Sequence, residues 1–216
     1  GGAAAAGPSA RNEKLADAAG HAAQVDELNA QQRYAEALRA GADSLAVRER
    51  LIGPVCWEVA DVLQRIAHVH LRRGSYREAE AALLRAMAIA EKLMPVENAG
   101  SYLPIFADLA ELHLRMGRYA QAEADYQREI AVRQHERQGP AFLWVPRRGL
   151  AWIYALTGRL AEAERLFQES TSYYADYDSA AYRVIYAEGL VGLAAVQRAR
   201  GELPRAEQLL QQAVTL

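Results

Sequence analysis

The chain has very little cysteine, very little lysine and no long apolar run. Cys56 is the only cysteine among the 216 residues, so an intrachain disulfide and a cysteine-based metal site are excluded. Such sparing use of cysteine is typical of a reducing cytoplasm. No apolar stretch approaches the roughly 18 residues that indicate a membrane-spanning helix. Two lysines, Lys14 and Lys92, stand against 23 arginines, a bias that indicates a GC-rich and hence bacterial genome.

The charge balance and the N-terminal segment exclude further classes of protein. The net charge of −2 disfavours nucleic acid or an anionic membrane as a partner, because proteins that bind these are usually strongly basic. The opening "GGAAAAGPSA" has neither the basic segment nor the apolar core of a signal peptide. We therefore expect a cytoplasmic protein in which residues 1–12 form a flexible linker or an added tail.

A repeat of 41 to 43 residues runs through the rest of the chain. Its anchor is a glycine that recurs as Gly74, Gly117, Gly158 and Gly201. Alanine stands seven residues before each glycine, as Ala67, Ala110, Ala151 and Ala194. Alanine also stands five residues after it, as Ala79, Ala122, Ala163 and Ala206, and glutamate follows at the next position, as Glu80, Glu123, Glu164 and Glu207. A less regular copy with Gln32 in place of the glycine precedes them, so the sequence predicts five repeat units.

Each repeat unit is predicted to be a pair of antiparallel helices. Apolar residues recur at helical spacing before and after the glycine, which suits the left-handed residue that closes a first helix. The recurrent alanines let the two helix backbones approach closely, and a single pair needs its neighbours in order to bury its apolar face. Turn residues place the units at about 18–53, 54–95, 96–139, 140–178 and 179–216, within a helical domain over residues 13–216.

These helix pairs, with small residues at the crossing and an aromatic residue just after the turn glycine, resemble tetratricopeptide (TPR) repeats. The longer period and stretches such as "AMAIAEKLMP" resemble the long-helix subtype found in kinesin light chains and in many bacterial multidomain proteins. The resemblance implies an all-α fold, a right-handed superhelical solenoid of about five helix–turn–helix repeats. It also implies a non-enzymatic protein that binds other proteins or peptides.

The residues that could carry chemistry have structural interpretations. His68 and His70 are two positions apart on a predicted helix, so they point in different directions and cannot share a metal ion. Cys56 beside Trp57 is interpreted as a small core residue rather than as a nucleophile. We find no catalytic constellation, no metal site and no phosphate-binding loop, and we expect neither an enzyme nor a cofactor.

The TPR resemblance also indicates where a partner would bind. In this family the first helix of each pair lines the concave groove, which here corresponds mainly to the positions two, six and ten residues before each glycine. The predicted groove residues are Gln64, Arg65, His68, Arg72, Asp108, Glu111, Arg115, Arg148 and Trp152. Members that bind chaperone tails hold a terminal carboxylate with lysine and asparagine, whereas Gln64 and His68 occupy those places here. An extended peptide with acidic and apolar side chains would suit such a groove, although an ordinary solvated face is the alternative.

Two other regions are candidates for contacts between proteins. Five tyrosines lie between Tyr173 and Tyr186, and they either pack the fourth unit against the fifth or form a binding patch. The last predicted helix, from about Leu203 to Leu216, carries an apolar stripe without a polar cap, so we expect the chain to continue or to self-associate there. The best overall interpretation is a recognition segment of a larger protein. A ligand- or peptide-sensing regulatory module and an accessory domain of an enzyme are the alternatives.

Overall fold

The computed structural model describes residues 8–93, 103–177 and 179–215, and in these ranges every regular element is a helix. The chain divides into two compact parts that each contain several repeats, and we call them unit 1 (Gly1–Leu112) and unit 2 (His113–Leu216). The helices are α1 (Pro8–Ala30), α2 (Tyr34–Ile52), α3 (Trp57–Arg73), α4 (Tyr76–Leu93), α5 (Leu103–Arg115), α6 (Tyr119–His135), α7 (Pro140–Leu156), α8 (Leu160–Tyr174), α9 (Ala180–Ala199) and α10 (Leu203–Val214). The prediction of an all-helical repeat protein is confirmed.

The first helix of each repeat ends in the same hydrogen-bonded turn. Gly74 has φ of 80°, in the left-handed region that residues with a Cβ rarely adopt. The amide of Ser75 then donates to the carbonyl of His70 over 2.8 Å. The other three anchor glycines have φ between 71° and 83°. Gln32 has φ of 62°, so the irregular first copy makes the same turn without a glycine.

Small residues fill the places where the helices of a pair cross. The alanine five residues after the anchor is fully or almost fully buried in every repeat: Ala37, Ala79, Ala122, Ala163 and Ala206. The alanine seven residues before it is equally buried: Ala67, Ala110, Ala151 and Ala194. Side chains of this size allow the close helix contacts α1–α2, α3–α4, α7–α8 and α9–α10.

Unit 1 has an aliphatic core between its first two repeats. Val25, Ala37 and Val69 are fully buried there, with Leu28 and Tyr34 packed against them. A polar contact accompanies this core, since the hydroxyl of Ser44 donates to the carbonyl of Ala18 over 2.7 Å. The buried side chain is thus satisfied by backbone of α1.

In unit 2, an aromatic ring of one repeat lies over a glycine of the next. A Cβ at Gly149 would lie 2.2 Å from Cζ of Tyr126, and a Cβ at Gly192 would lie 2.3 Å from Cε1 of Phe167. Both rings come from the ninth residue after an anchor, and both glycines stand nine residues before the next anchor. Only a residue without a side chain leaves room for the ring, so the α6–α7 and α8–α9 pairs pack in the same way, with a ring over a glycine.

The recurrent glutamate also links neighbouring repeats in unit 2. Glu123 accepts two hydrogen bonds from the guanidinium of Arg159, over 2.6 and 3.1 Å. Glu164 accepts from Nε2 of Gln197 over 3.0 Å and lies 2.7 Å from Nη2 of Arg200. The glutamate register is therefore a repeat-to-repeat contact in the α6–α7 and α8–α9 pairs.

The ends of several helices can be compared with the predicted boundaries of the five repeats. Helix α2 ends immediately before Gly53, and α7 begins at Pro140, the second residue of the predicted Gly-Pro turn. The predicted turns at Pro95 and Asp178 lie outside the described residues. Residues 8–12, which the composition predicts as part of a linker or tail, belong to the first turns of α1. Pro8 suits a helix start because the first amides of a helix need no helical partner.

Candidate partner-binding surfaces

The predicted groove residues of α3 are occupied by contacts within unit 1. Asp108 of α5 accepts a hydrogen bond from Nε2 of Gln64 over 2.5 Å and another from Nε2 of His68 over 2.8 Å. Because an ionised carboxylate only accepts, the His68 ring carries its proton on Nε2. The hydrogen bond to Asp108 raises the pKa of His68 above its ordinary value. The structure thus brings Gln64, His68 and Asp108 together as one polar cluster.

The predicted groove arginines of α3 differ in their surroundings. Arg65 donates to Asp61 on the same helix over 2.9 Å and also pairs with Asp26 of α1. Arg72 lies exposed near the end of α3 and forms no ion pair within the described part of the chain. Of the remaining predicted residues on α5, Glu111 is half-buried and Arg115 is exposed. Of the two α3 arginines, Arg72 is therefore the one whose charge is available to a partner without breaking an internal pair.

The equivalent surface in unit 2 is more apolar. Arg148 of α7 pairs with Glu188 of α9. Trp152 is half-buried and meets Phe167 edge to face, with ring centroids 5.3 Å apart. Leu156, one helical turn further on, is 57% exposed, and Val191 of α9 is 40% exposed. We call Arg148, Trp152, Leu156 and Val191 the α7–α9 face.

Leu156 of this face was not among the predicted groove residues, and Val191 was predicted there only as a groove position without a polar group. A detectable signal existed, because Leu156 stands two residues before Gly158 and Val191 stands ten residues before Gly201. Both positions belong to the register that selected the arginines. The prediction favoured polar groups, whereas the exposed groups that the structure reveals at these two positions are aliphatic.

The tyrosine-rich segment joins the last two repeats. Tyr174 at the end of α8 is buried, and its ring stacks on Tyr182 of α9 with centroids 5.4 Å apart. Tyr173 and Tyr177 stack beside them at 5.6 Å. A cavity of about 660 Å³ lies next to this cluster, and its lining includes Trp144 and Ser170. The tyrosines therefore contribute packing between repeats.

Groups with potential reactivity have ordinary structural surroundings. Burial raises the pKa of the Cys56 thiol, which lowers the fraction of the nucleophilic thiolate. His113 is buried, and its Nδ1 lies 2.6 Å from Oδ2 of Asp125. His70, at the same repeat position, has a lowered pKa because it is partly buried, and its Nδ1 has no hydrogen-bond partner among the described residues. Within the described ranges, no three His, Cys, Asp or Glu side chains are grouped as a metal site.

Comparisons with known proteins agree with this architecture. Models of the tetratricopeptide repeat family match residues 18–92, 102–176 and 187–212. No curated protein sequence matches the chain. Among the helices of the described residues, none has an apolar stretch long enough to cross a bilayer.

Two solved structures show the same fold. The crystal structure of a kinesin light chain candidate from Podosopora anserina, with nearly identical TPR-like repeats, has a TM-score of 0.75 at 18% identity and covers 91% of this chain and 92% of that chain. The crystal structure of BtubC (BKLC) from P. vanneervenii has a TM-score of 0.65 at 14% identity, with coverage of 95% and 90%. The predicted resemblance is confirmed. With its repeats matched by the family models and its helix pairs matched by these structures, the chain belongs to the tetratricopeptide repeat family.

Proposed function

We propose that this chain is a protein-binding scaffold that holds an extended peptide segment of its partner on the α7–α9 face. The TPR family consists in general of non-catalytic interaction scaffolds, which supports the class of function. The observation that carries the finer proposal is the apolar group on this face. Trp152, Leu156 and Val191 present partly or largely exposed apolar surface, although burying such side chains elsewhere would be favourable.

The polar neighbours indicate which peptide would fit. Arg148 lies beside the apolar group and already pairs with Glu188, with side-chain exposures of 35% and 41%. A partner carboxylate would share the guanidinium, which has five N–H donors, rather than meet an unpaired charge. We therefore expect apolar side chains of the peptide to supply most of the affinity, and an acidic side chain to supply orientation.

The α3 surface has a different part in the proposal. Its cluster of Gln64, His68 and Asp108 is satisfied internally, so a partner gains little by contacting it. An exposed pair such as Arg65 with Asp61 contributes under about 1 kcal/mol and is screened by salt. At Arg72 of unit 1, and separately at Arg115 of unit 2, both exposed and both predicted from the sequence to face a groove, we propose contacts with acidic residues. We also propose that the protein acts in a bacterial cytoplasm, which the single cysteine and the arginine bias support.

A peptide-display selection tests the proposal while the partner itself is still unidentified. Peptides selected on the parent protein are synthesised, and their dissociation constants are measured by fluorescence anisotropy. We expect Trp152→Ala and Leu156→Glu to weaken binding at least about tenfold, equivalent to roughly 1.4 kcal/mol. Arg148→Ala and Arg115→Ala should weaken binding only of peptides that contain Asp or Glu.

Two controls make the outcome decisive. Leu84→Glu places the same charge on α4, where the parent leucine is 50% exposed, and it should leave binding unchanged. Circular dichroism must show that each variant keeps the parent helicity. Leu156→Glu is the informative variant if Trp152→Ala unfolds, because Leu156 is largely exposed. If the selected peptides bind Leu156→Glu as tightly as they bind the parent and the Leu84→Glu control, the binding surface lies elsewhere.

A further inference from the structure

The side of α10 that faces away from α9 carries side chains of the kind that contact the next repeat elsewhere in unit 2, but on α10 they are exposed. Helix α10 packs on α9, yet Leu203, Leu210 and Val214 are 61%, 45% and 87% exposed. Glu207 on the same helix is also exposed. Three of these residues occupy registers that are used for contact within unit 2. Glu207, Leu210 and Val214 stand six, nine and thirteen residues after Gly201.

The α8–α9 boundary shows what these registers do. Glu164, six residues after its anchor, bonds to Gln197 and Arg200 of the next repeat. Phe167, nine residues after it, covers Gly192. Thr171, thirteen residues after it, packs at Gly189, where a Cβ would lie 2.7 Å from Thr171 Cγ2. The corresponding positions of α10 carry a glutamate, an apolar side chain and a valine, which has the shape of threonine.

Helix α1 has the complementary positions. Gly20 stands twelve residues before Gln32, as Gly189 stands twelve residues before Gly201. Ala23 stands nine residues before Gln32, in the register of Gly149 and Gly192. Both residues are exposed, and a Cβ at Gly20 would meet no atom of the described residues within 4 Å. This side of α1 therefore has the small residues that accept side chains at the internal boundaries.

The charges match as well. Arg33 follows Gln32 directly, as Arg159 follows Gly158, and Arg159 is the partner of Glu123 at the α6–α7 boundary. Arg33 pairs with Glu36 on the surface, where the two side chains are 51% and 44% exposed. An exposed pair of this kind is weak, and the guanidinium retains further N–H donors for a second carboxylate. Glu207 is the equivalent of Glu123 that would use them.

We propose that α10 of one copy of this chain docks on α1 of a second copy, in the register by which α8 docks on α9. Leu210 then lies over Ala23, Val214 packs at Gly20, and Glu207 pairs with Arg33. A second copy is the occupant because all three complementary positions occur on this chain, including the opposite charge. The contact joins two different surfaces, so each dimer keeps one free α1 and one free α10, and association continues into chains or closes into a ring.

Sedimentation velocity over about 1 μM to 1 mM tests the proposal, since a contact made by one helix on another is usually weak. We expect the mass of the parent to rise with concentration above its monomer value of 23.8 kDa. Gly20→Arg blocks α1 only, and Val214→Arg blocks α10 only. Both positions are exposed, so both variants should fold and each alone should associate at least about tenfold more weakly.

A mixture of the two variants is the decisive sample. Gly20→Arg retains an intact α10 and Val214→Arg retains an intact α1, so an equimolar mixture should form a 1:1 dimer that grows no further. Leu84→Arg is the matched control and should associate as the parent does. A parent that stays monomeric throughout shows that a second copy is not the occupant. Association that neither variant weakens, or a mixture that fails to form the dimer, also overturns the proposal.

Discussion

The ring-over-glycine contacts allow a sharp test of how the repeats of unit 2 are held together. In an isolated helix, replacing glycine by alanine is favourable by about 1 kcal/mol because glycine loses more backbone entropy on folding. At Gly149 the added methyl carbon would lie 2.2 Å from Cζ of Tyr126, and at Gly192 it would lie 2.3 Å from Cε1 of Phe167. Carbon atoms in normal contact are about 3.5–4.0 Å apart.

The expected magnitude follows from how little the rings can move. Tyr126 is 4% exposed and Phe167 is fully buried, so neither ring can swing into solvent. Overpacking in a filled core costs about 1–3 kcal/mol, which exceeds the gain in helix propensity. We therefore expect Gly149→Ala and Gly192→Ala to lower the free energy of unfolding by up to about 2 kcal/mol each. The sign is opposite to that in a solvent-exposed helix.

Urea unfolding followed by circular dichroism measures this difference. Gly20→Ala is the matched control, because nothing lies within 4 Å of its added Cβ, and it should raise the free energy of unfolding by up to about 1 kcal/mol. In the double variant Gly192→Ala with Phe167→Leu, the smaller side chain relieves the clash, so the two changes should couple by at least about 0.5 kcal/mol. Gly192→Ala that stabilises like Gly20→Ala, or strict additivity, would refute the reasoning.

Three further predictions concern single positions. Gln32→Gly should raise the free energy of unfolding by about 1 kcal/mol in a urea titration, because Gln32 has φ of 62°. His70→Leu should also stabilise, since Nδ1 of His70 is buried and has no partner in the described part of the chain, and Leu28 occupies this repeat position in the first copy. Unchanged or reduced stability would contradict this. The raised pKa of His68 means that its contact with Asp108 stabilises fully below about pH 6.5 and that this contribution is lost as pH rises through the higher folded value. Unfolding titrations of the parent and His68→Asn at several pH values should differ in this way, by under about 1 kcal/mol because the site is partly exposed.

The architecture could be predicted because packing repeats the same chemistry at the same position. An alanine at a helix crossing, such as Ala67 or Ala110, meets the same geometric demand in each copy, so the pattern survives in the sequence. The left-handed turn leaves an equally clear signal at Gly74 and its equivalents. Gln32 shows the limit of this argument, because its turn is identical although the residue is unfavourable there. The first copy was recognised from Tyr34 and Ala37, which keep the repeat register, rather than from its turn residue.

The contacts of the candidate site were harder to predict, because an arginine in the sequence does not reveal which acid it meets. Arg148 was predicted as a groove charge, and it pairs with Glu188. Gln64, His68 and Asp108 were predicted as partner-binding residues, and both Gln64 and His68 bond to Asp108. A rule emerges from these pairs, since their partners lie 40 to 44 residues apart, which is one repeat. A polar residue facing the next repeat should therefore be compared with the residue one period away before it is assigned to a partner.

Comparison of residues one repeat apart also distinguishes contacts within one chain from the contacts that we propose between two copies. Interior helices such as α8 have a following repeat that takes up their ring and their glutamate, so their contacts are independent of protein concentration. The matching side chains of α10 lie exposed, and any stability gained by docking them on a second copy must follow mass action. Val214→Arg should therefore leave the melting temperature unchanged in dilute solution and lower it only where the parent associates. Gly192→Ala should lower it equally at every concentration, because its clash with Phe167 lies inside one chain.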